Sequence, residues 1–471
     1  MAADVQRVLV TGGAGYVGSH ACKALSRAAR DVVVFDSLVA GHREAVRFGP
    51  LVVGDITDLA AVRDALRSHR IDAVMHFAAF LDVGESVREP IKYYRNNLLG
   101  TLTVLEAMDH AYRFEYANVH RGLHFLSNAA TQSFEDARES VRRFLNAPSK
   151  DQLIFTRNAT EAINLVAQSY GNLVINEGDE IVLSIMEHHS NIVPWHFHRE
   201  RRGAVIKWAP IDDDGNFLID EFEKLLTSRT KIVAITQMSN ALGTIVPVKE
   251  VIKLAHARGI PVLIDGSQAA VHMKVDVAEL DADFFVFTGH KTYGPTGIGV
   301  LYAKMEHLNR MPPYQGGGEM INEVTMEGIP YNNPPHRFEA GTPAIAEAIG
   351  LGAALDYMTA IGLDSIAAHE NSLRDYATQR LSEINSLRIF GRAKNKGAII
   401  SFNMNGAHAH DVATVIDRAG VAVRAGTHCT QPLLQRFGVT ATCRASFAMY
   451  NTREEVDKLA EALISAQRIF L

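Results

Sequence analysis

Residues 284–297 read FFVFTGHKTYGPTG, and they are the most informative part of the sequence for the fold. The unbroken apolar run 284–287 predicts a strand buried on both faces, as in a parallel sheet covered by helices. A loop follows that holds Lys291 between Gly289 and Gly294. A surface lysine in an ordinary loop is one interpretation, but the glycines, the hydroxyls and His290 favour a loop that handles a ligand.

The same alternation of strands and helices extends from this stretch in both directions. Strands are predicted over 152–155, 180–184, 205–209, 231–236, 262–265 and 284–288, with helices over 131–145, after 160 and over 248–258. From residue 364 a long amphipathic helix is predicted, then strands over 398–403, 421–424 and 444–449, with helices over 411–419, 432–437 and after 452. One large α/β domain and a smaller α+β domain follow from these patterns.

The first hundred residues form a separate run of βαβ pattern. Strands are predicted over 7–11, 31–36, 51–55 and 73–77, with helices over 15–27, 60–68 and 96–112. The predicted domains are therefore a partial Rossmann-like fragment over 1–108, a large α/β domain over 109–363 and a small C-terminal domain over 364–471. The fold class is α/β, with a truncated dinucleotide-binding fragment in front.

Composition excludes several classes of protein. The chain has 471 residues, of which 47% are hydrophobic and 21% charged, and its net charge of −6 offers no basic surface for nucleic acid. Three scattered cysteines argue for reduced thiols and hence for a cytoplasmic location. Neither a signal peptide nor an apolar run of about 20 residues is present, so neither export nor membrane insertion is expected.

Several polar residues carry candidate chemistry. Asp265 ends a buried strand, where open α/β sheets bind ligands, and a carboxylate there would pair with a cationic ring nitrogen. Residues 157–160 open a helix and offer backbone N–H groups and a hydroxyl to a phosphate, although an ordinary capping box is the alternative. Cys429 lies in a polar loop just before a helix, where a thiolate is favoured. Arg444 would fork onto a carboxylate, or else form a surface ion pair.

Two other features are less decisive. His188 and His189 form a possible metal pair, but no third ligand at a suitable spacing supports a metal. The front segment TGGAGYVGSH at Thr11 follows a strand and opens a helix, so its glycines would admit a pyrophosphate. Asp36 ends the next strand and would accept hydrogen bonds from a ribose, whereas a structural turn that binds nothing is the alternative.

The front region resembles UDP-glucose 4-epimerases over about residues 1–108. The likeness rests on TGGAGYVGSH at Thr11, DSLVAGH at Asp36, GDITD at Gly54, HFAAFLDVGESV at His76 and YYRNNLLGTL at Tyr93. It implies nucleotide contacts by Gly12, Gly15, Gly18 and Asp36. That chemistry also needs a Tyr-x-x-x-Lys pair, and none of the 13 tyrosines has a lysine four positions later. We therefore expect at most weak NAD binding and no epimerase activity.

The remainder, about residues 109–471, resembles group II (Suf-type) cysteine desulfurases and selenocysteine lyases of the class V aminotransferases. The likeness rests on TRNATEAINLVA at Thr156, MEHHSNIVPW at Met186, VLIDGSQAAVH at Val262, FTGHKTYGPTGIG at Phe287, RFEAGTP at Arg337 and RAGTHCTQP at Arg424. The resemblance implies a fold-type I enzyme with pyridoxal 5′-phosphate (PLP) as its cofactor.

The resemblance also implies roles for individual residues. Lys291 would bind PLP covalently and, with Cys429 and His120, would be catalytic, His120 as a proton shuttle. The other implied cofactor contacts are Asp265, Gln268, His188, Ala159, Thr160, Thr288 and His290, with Thr342 reaching a neighbouring subunit's site. Arg444, Asn240 and Arg424 would bind substrate. One departure is Asn158-Ala159-Thr160, where the family commonly has Gly-Thr-Thr.

The expected function is conversion of L-cysteine to L-alanine, with the sulfur taken by Cys429 as a persulfide. The expected partner is a small Suf-type acceptor protein that serves iron–sulfur cluster assembly. We expect a homodimer that binds neither nucleic acid, nor a membrane, nor a metal. The alternative is a non-catalytic or weakly active epimerase–desulfurase fusion whose front fragment only binds NAD or another nucleotide. Cys443 and Cys22 are expected to be packed structural residues.

Overall fold

The structure is a computed structural model of the chain. It describes residues 7–39, 41–56, 59–69, 71, 73–77, 117–120 and 124–470. The chain divides into two compact units, Met1–Leu102 and Thr103–Leu471. The predicted helix over 96–112 and the predicted domain boundary at residue 108 lie outside the described residues, so both stay predictions.

The first unit contains a parallel sheet in the order β3-β2-β1-β4. Its strands are β1 Arg7–Thr11, β2 Asp31–Asp36, β3 Leu51–Val53 and β4 Ala73–His76, and its helices are Tyr16–Arg27 and Leu59–Ser68. Alternate residues enter two separate cores, with Val8 and Val10 on one face and Leu9 on the other. This pattern is that of a strand buried on both faces.

The second unit begins with a large α/β domain built on a seven-stranded sheet in the order β5-β11-β10-β9-β8-β6-β7. The strands are β5 Leu153–Thr156, β6 Glu180–Ser184, β7 Val205–Ala209, β8 Thr230–Thr236, β9 Val262–Asp265, β10 Phe284–Thr288 and β11 Gly299–Ala303. Neighbouring strands from β10 through β7 are parallel, whereas β11 is antiparallel to both β10 and β5.

Helices cover this sheet, and its core is continuous beneath them. They span Phe125–Leu145, Ala159–Val166, Asn172–Val174, Val193–Arg202, Ile219–Leu225, Val248–His256, Ala269–His272, Val277–Leu280, Met305–Arg310 and Ile345–Ile361, with a π-helix at Ala167–Gly171. Because β6, β8, β9 and β10 are parallel, their carboxyl ends lie at one edge of the sheet, where ligands bind in such folds.

A smaller C-terminal sheet is antiparallel, in the order β12-β13-β15-β14. Its strands are β12 Leu387–Phe390, β13 Ile399–Met404, β14 Arg424–Gly426 and β15 Thr442–Ser446, and the helices are Leu363–Ser382, Ala409–Asp417, Gln431–Arg436 and Arg453–Phe470. Helices Ile345–Ile361 and Leu363–Ser382 meet at Gly362, whose φ is +95°. The predicted small-domain start at 364 thus lies one residue inside the second of these helices.

The α/β fold class is confirmed, but two strand predictions in the C-terminal domain are wrong. The strand predicted over 421–424 begins only at Arg424, because Val421 N–H donates to Ile416 O and so completes the preceding helix. The strand predicted over 444–449 ends at Ser446, because Ala448 and Asn451 form a turn. Strands β11 and β12 and helix Ile345–Ile361 were not predicted.

No single helix of the described residues is long and apolar enough to cross a membrane. Helices Ile345–Ile361 and Leu363–Ser382 are long and apolar enough only when taken together, and the pair is bent by 75°. Nine of the residues in the first helix of this pair are buried in the protein.

Candidate active site

Lys291 lies in a tight turn directly after β10. The turn Gly289–Lys291 is closed by Thr292 N–H donating to Gly289 O at 2.9 Å, and Gly289 N–H donates to Ile298 O at 2.9 Å. A Cβ on Gly289 would come within 2.6 Å of Ile298 Cγ2 and 3.0 Å of Pro295 O, so only glycine fits here. Burial lowers the pKa of Lys291 below its ordinary value. Such an amine is more available as a nucleophile than a solvated lysine.

Four other ionisable groups act on the Lys291 amine. Asp265 and Cys429 raise its pKa, whereas Arg444 and Arg424 lower it, although the effect of burial is larger than any of these. Residues more than 150 positions apart in sequence therefore share one electrostatic environment. The structure thus brings the predicted cofactor lysine, the predicted acid, the predicted nucleophile and two predicted substrate-binding arginines together.

Asp265 ends β9 at the carboxyl edge of the sheet and is 5% exposed. Oδ1 accepts from Ser267 N–H at 3.0 Å, and the strand is held on both sides, since Asp265 pairs with Thr236 of β8 and Val286 of β10. Within the described residues Asp265 has no salt-bridge partner. A buried carboxylate of this kind is suited to pair with a cationic ligand atom.

His188 follows β6 and precedes the turn His189–Asn191. Its Nδ1 accepts from Ser190 N–H at 3.1 Å. Burial lowers the pKa of His188 to about 4, Asp265 opposes this shift and Lys291 reinforces it. The ring is therefore uncharged at neutral pH and can lie against an aromatic ligand. Gln268 is half-buried at the start of helix Ala269–His272.

The predicted phosphate residues lie at the first turn of helix Ala159–Val166. Asn158 caps the helix, because Oδ1 accepts from Glu161 N–H at 3.0 Å, and Ala159 is buried while Thr160 is exposed. The helix cap expected under one interpretation of residues 157–160 is present. An open cavity of about 370 Å³ beside Thr160, which a phosphate site needs, is present as well.

Three further cofactor contacts were predicted at Thr288, His290 and Thr342. Thr288 Oγ1 and His290 Nδ1 are 3.0 Å apart in the Lys291 loop. Thr342 is exposed, and its Oγ1 lies 3.4 Å from Asn118 Oδ1. A contact between Thr342 and a second copy of the chain stays a prediction.

Cys429 lies in a loop between β14 and helix Gln431–Arg436. His428 and Cys429 have φ values of +51° and +57°, a left-handed conformation that side chains of this kind rarely adopt. The large domain holds the loop in place, since Asn240 Nδ2 donates to His428 O at 2.8 Å and His189 N–H donates to Cys429 O at 2.8 Å. The thiol is half-buried, and Arg424 Nη2 lies 3.6 Å from Sγ.

Arg444 points into the same site from β15. Nη1 donates to Asn240 O at 2.7 Å, whereas the buried Nε has no partner among the described residues. Burial, reinforced by Arg424, lowers the pKa of Arg444 to about 10, so the guanidinium remains charged at neutral pH. A half-buried guanidinium with an unused donor is suited to bind an anion, and a carboxylate fits its fork.

The other two cysteines lie in apolar surroundings. Burial raises the pKa of Cys443 to about 12 and that of Cys22 to about 11. Cys443 Sγ donates to Ala409 O at 3.0 Å within the small-domain core. Both are therefore poor nucleophiles at neutral pH, in keeping with the prediction that they are structural.

His120 makes its contacts in a different cluster. Nε2 lies 3.4 Å from Glu135 Oε1, Nδ1 lies 3.6 Å from Glu319 Oε1, and the ring packs edge-on against His336. Within the described part of the chain, no contact joins His120 to Lys291. Its role as a proton shuttle stays a prediction.

In the first unit, the glycine-rich turn has the close backbone packing predicted for it. Gly12 has φ +68°, and a Cβ on Gly18 would come within 2.1 Å of Gly12 O. Asp36 is buried and accepts from Ala14 N–H at 2.9 Å and Leu38 N–H at 2.8 Å. Its carboxylate thus already fixes the turn, which the sequence did not predict.

A possible metal-binding group lies elsewhere in the described part of the chain. Ligand atoms of Asp283, Glu306 and His307 lie within 4.8 Å of one another. Lys304 Nζ, however, is 3.2 Å from Asp283 Oδ1 and supplies a positive charge there. His188 and His189 do not belong to this group.

Residues 100–459 match the family model described as aminotransferase class-V. The chain belongs to the class-V aminotransferase family. Residues 8–148 of the chain also match the NAD dependent epimerase/dehydratase family model. Both predicted resemblances are therefore confirmed, and the two matches overlap over residues 100–148.

Individual relatives agree with the family model. The chain is 52% identical over 369 residues to a probable cysteine desulfurase of Halalkalibacterium halodurans, over 78% of this chain and 91% of the relative. The crystal structure of the cysteine desulfurase CsdA from Escherichia coli matches with TM-score 0.74 and 40% identity, over 79% of this chain and 92% of that one. The apo cysteine desulfurase of Thermococcus onnurineus matches with TM-score 0.75 and 37% identity, over 83% and 99%.

Family membership implies PLP as the cofactor, and the residues present fit it. The site offers a half-buried lysine of lowered pKa, a buried carboxylate without a salt bridge among the described residues and an uncharged imidazole. These groups match PLP, because the lysine suits its aldehyde, the carboxylate its pyridine nitrogen and the imidazole its aromatic ring. The residue that the sequence did not single out is Glu187, which directly precedes His188 and is fully buried.

Proposed function

We propose that the chain is a PLP-dependent L-cysteine desulfurase that forms L-alanine and transfers the sulfur to Cys429. The observation that carries this proposal is the shared environment of Lys291, Asp265, Arg444 and Cys429, which come from both domains of the second unit. An amine, an acid, a carboxylate receptor and a thiol in one site are the groups that this reaction needs.

In this proposal Lys291 would bind PLP, and Asp265 would pair with its ring nitrogen. His188 would contact the ring and Gln268 its hydroxyl. The phosphate would be held by Ala159, Thr160, Thr288 and His290, and Thr342 would contribute to a neighbouring subunit's site. PLP, when bound, supplies an electron sink that stabilises negative charge on the substrate. The exposed Thr160 hydroxyl beside an open cavity supports the phosphate assignment.

Substrate recognition falls to Arg444 in this account. The free Nε of Arg444 and its neighbouring Nη group bind the α-carboxylate of L-cysteine. Asn240 holds the backbone of the cysteine loop and the Arg444 guanidinium at once, so it fixes the distance between them. Arg424 adds a second positive charge beside Cys429.

Sulfur transfer is a nucleophilic step at the substrate sulfur. The Cys429 thiolate attacks Sγ of the substrate, an S–S bond forms, and the substrate C–S bond breaks with its electron pair remaining on carbon. That carbon then takes a proton, so L-alanine leaves and Cys429 carries a persulfide. Lys291 moves the proton at the substrate Cα, and His120 is proposed as a further proton shuttle. Arg424 supplies positive charge beside the sulfur that attacks.

Beyond the chemistry, we propose that the persulfide is passed to a small acceptor protein of the Suf type for iron–sulfur cluster assembly. A homodimer and a cytoplasmic location complete the proposal, the latter supported by three free cysteines. Selenocysteine is proposed as an alternative substrate because the same steps would release selenium. The first unit is proposed to bind NAD at most weakly.

The test is production of alanine and sulfide from L-cysteine by the PLP-loaded chain in the presence of dithiothreitol. Cys429→Ser should abolish both products while leaving PLP bound, because the thiol acts only after the substrate has bound. Cys443→Ser is the matched control and should retain activity, since its thiol is buried against Ala409. Equal loss in the two variants would overturn the assignment of the nucleophile.

A further inference from the structure

Glu187 is a buried acid for which the proposed reaction has no use. It lies three residues beyond the end of β6, directly before His188, and is 0% exposed. Its hydrogen-bond partners are all neutral side chains or backbone groups. Burying a carboxyl group without a cation is costly, so the donors around it must hold it firmly.

Three elements of the site donate to this carboxyl group. Oε1 accepts from Ser184 Oγ at 2.5 Å and from Thr236 N–H at 3.0 Å, and Oε2 accepts from Asn191 Nδ2 at 2.7 Å. Ser184 is the last residue of β6, Thr236 is the last residue of β8, and Asn191 ends the turn that carries His189. Trp195 Nε1 fixes Asn191 in turn, donating to Oδ1 at 3.1 Å.

These elements carry the groups that the proposed chemistry uses. Thr236 pairs with Asp265 across β8 and β9. The turn His189–Asn191 follows His188, and His189 N–H donates to the carbonyl of Cys429. The carboxyl group of Glu187 is therefore bonded to the segments that hold His188, Asp265 and the Cys429 loop in place.

We propose that Glu187 is a positioning residue, whose carboxyl group ties the ends of β6 and β8 to the turn His189–Asn191 and so holds His188 in place relative to Asp265. The inference rests on the proposed function, because it assigns Glu187 to the support of the same cofactor site. Glu187 itself touches none of the reacting atoms.

The protonation of Glu187 supports this role. Burial raises its pKa to about 8, and Asp265 acts in the same direction, while the bonds from Ser184, Asn191 and Thr236 oppose the shift. An acid with this pKa is mostly uncharged at neutral pH. Hydrogen bonding, not charge, is then what Glu187 contributes.

The experiment compares Glu187→Ala and Glu187→Gln in the full chain. The glutamine keeps an oxygen for Ser184 and Thr236 but turns an amide N–H towards Asn191. Apo protein is titrated with PLP, and the visible absorption of the loaded protein is titrated with pH. We expect Glu187→Ala to weaken PLP binding about tenfold, the scale seen when partners of ligand-binding side chains are removed, and to move the absorption midpoint. Glu187→Gln should recover part of both, because it keeps the bonds from Ser184 and Thr236 but not the bond from Asn191.

Asp283→Asn is the matched control, since Asp283 is also a buried acid but precedes β10 at the end opposite Lys291. It should lower the melting temperature and leave the absorption midpoint unchanged. If Glu187→Ala does not fold, Ser184→Ala replaces it, because it removes one of the three donors, and the same two readouts decide. Unchanged PLP affinity and midpoint, or an equal shift in Asp283→Asn, would overturn the proposal.

The two proposals fail in distinguishable ways. Wild-type protein that takes up no PLP would overturn the proposed function, and the inference about Glu187 with it. Wild-type protein that binds PLP and releases alanine, with Glu187→Ala and Glu187→Gln indistinguishable from it, would overturn the positioning role alone.

Discussion

Replacement of Arg444 gives a quantitative test of how the site recognises its substrate. Nη1 is already used by Asn240 O, so the unpartnered Nε and the remaining Nη group are the donors left for a carboxylate. Arg444→Gln removes the charge and the fork together. Losing charge-assisted bonds of this kind costs about 2–4 kcal/mol, which corresponds to about 30- to 1,000-fold in kcat/KM.

The assay is steady-state alanine production over a range of L-cysteine concentrations, with the PLP absorption recorded for each variant. Arg444→Lys keeps the charge but not the bidentate geometry, so it should fall between wild type and Arg444→Gln. Arg436→Gln is the control, because Arg436 is solvent-accessible and pairs with Asp213 instead of pointing into the site. If Arg444→Gln retains PLP and loses less than about threefold in kcat/KM, the carboxylate assignment is wrong.

Three further predictions concern stability and the first unit. Arg138 is 0% exposed and pairs bidentately with Glu339, so Arg138→Met should lower the free energy of unfolding in urea by about 3–5 kcal/mol. Arg143 forms an exposed pair with Asp356, so Arg143→Met should lower it by less than about 1 kcal/mol. Equal losses in the two variants would refute this prediction. Asp283 is buried, yet bonds from His307 and His256 bring its pKa down to about 2. Its stabilising contribution is therefore complete above the unfolded value of 3.8 and is lost as the pH falls towards 2, so the stability difference between wild type and Asp283→Asn should shrink over that window. For the first unit, calorimetry should detect at most weak NAD binding, and no interconversion of UDP-galactose and UDP-glucose should occur. Tight NAD binding with measurable epimerisation would contradict the inference drawn from the missing Tyr-x-x-x-Lys pair.

The sequence predicts the centre of the second unit well, because local pattern and fold agree there. Strands β9 and β10 begin and end at the predicted residues, since each is a short apolar run closed by a polar residue and a glycine. Asp265 and Lys291 follow from these strand ends, because parallel strands bring their carboxyl ends to one edge. No pattern beyond the two strands is needed to bring this pair together.

Features that depend on distant partners could not be predicted in this way. Strand β11 is hard to recognise alone, because it is set by pairing with both β5 and β10. The start of β14 depends on where helix Ala409–Asp417 ends, and Val421 has the β-branched character of a strand while bonding to the helix. Glu187 has an ordinary neighbourhood in sequence, since Thr236, one of its three donors, lies 49 residues away.

Asn240 shows a related limit. Its resemblance-based role is substrate binding, whereas its amide donates to His428 O and its carbonyl accepts from Arg444. One side chain and its own backbone thus link the cysteine loop to the proposed carboxylate receptor. Nothing in the local sequence distinguishes such a link from a direct substrate contact.

The most direct test of the central claim is to locate the transferred sulfur. The PLP-loaded chain is mixed with L-cysteine without reductant, thiols and persulfides are blocked, and the digested peptides are identified by mass spectrometry. The account predicts an added sulfur on the peptide that contains Cys429, together with alanine in equal amount, and none on the peptides that contain Cys443 or Cys22. Alanine formed with the sulfur on another cysteine, or no sulfur bound to the protein at all, would contradict it.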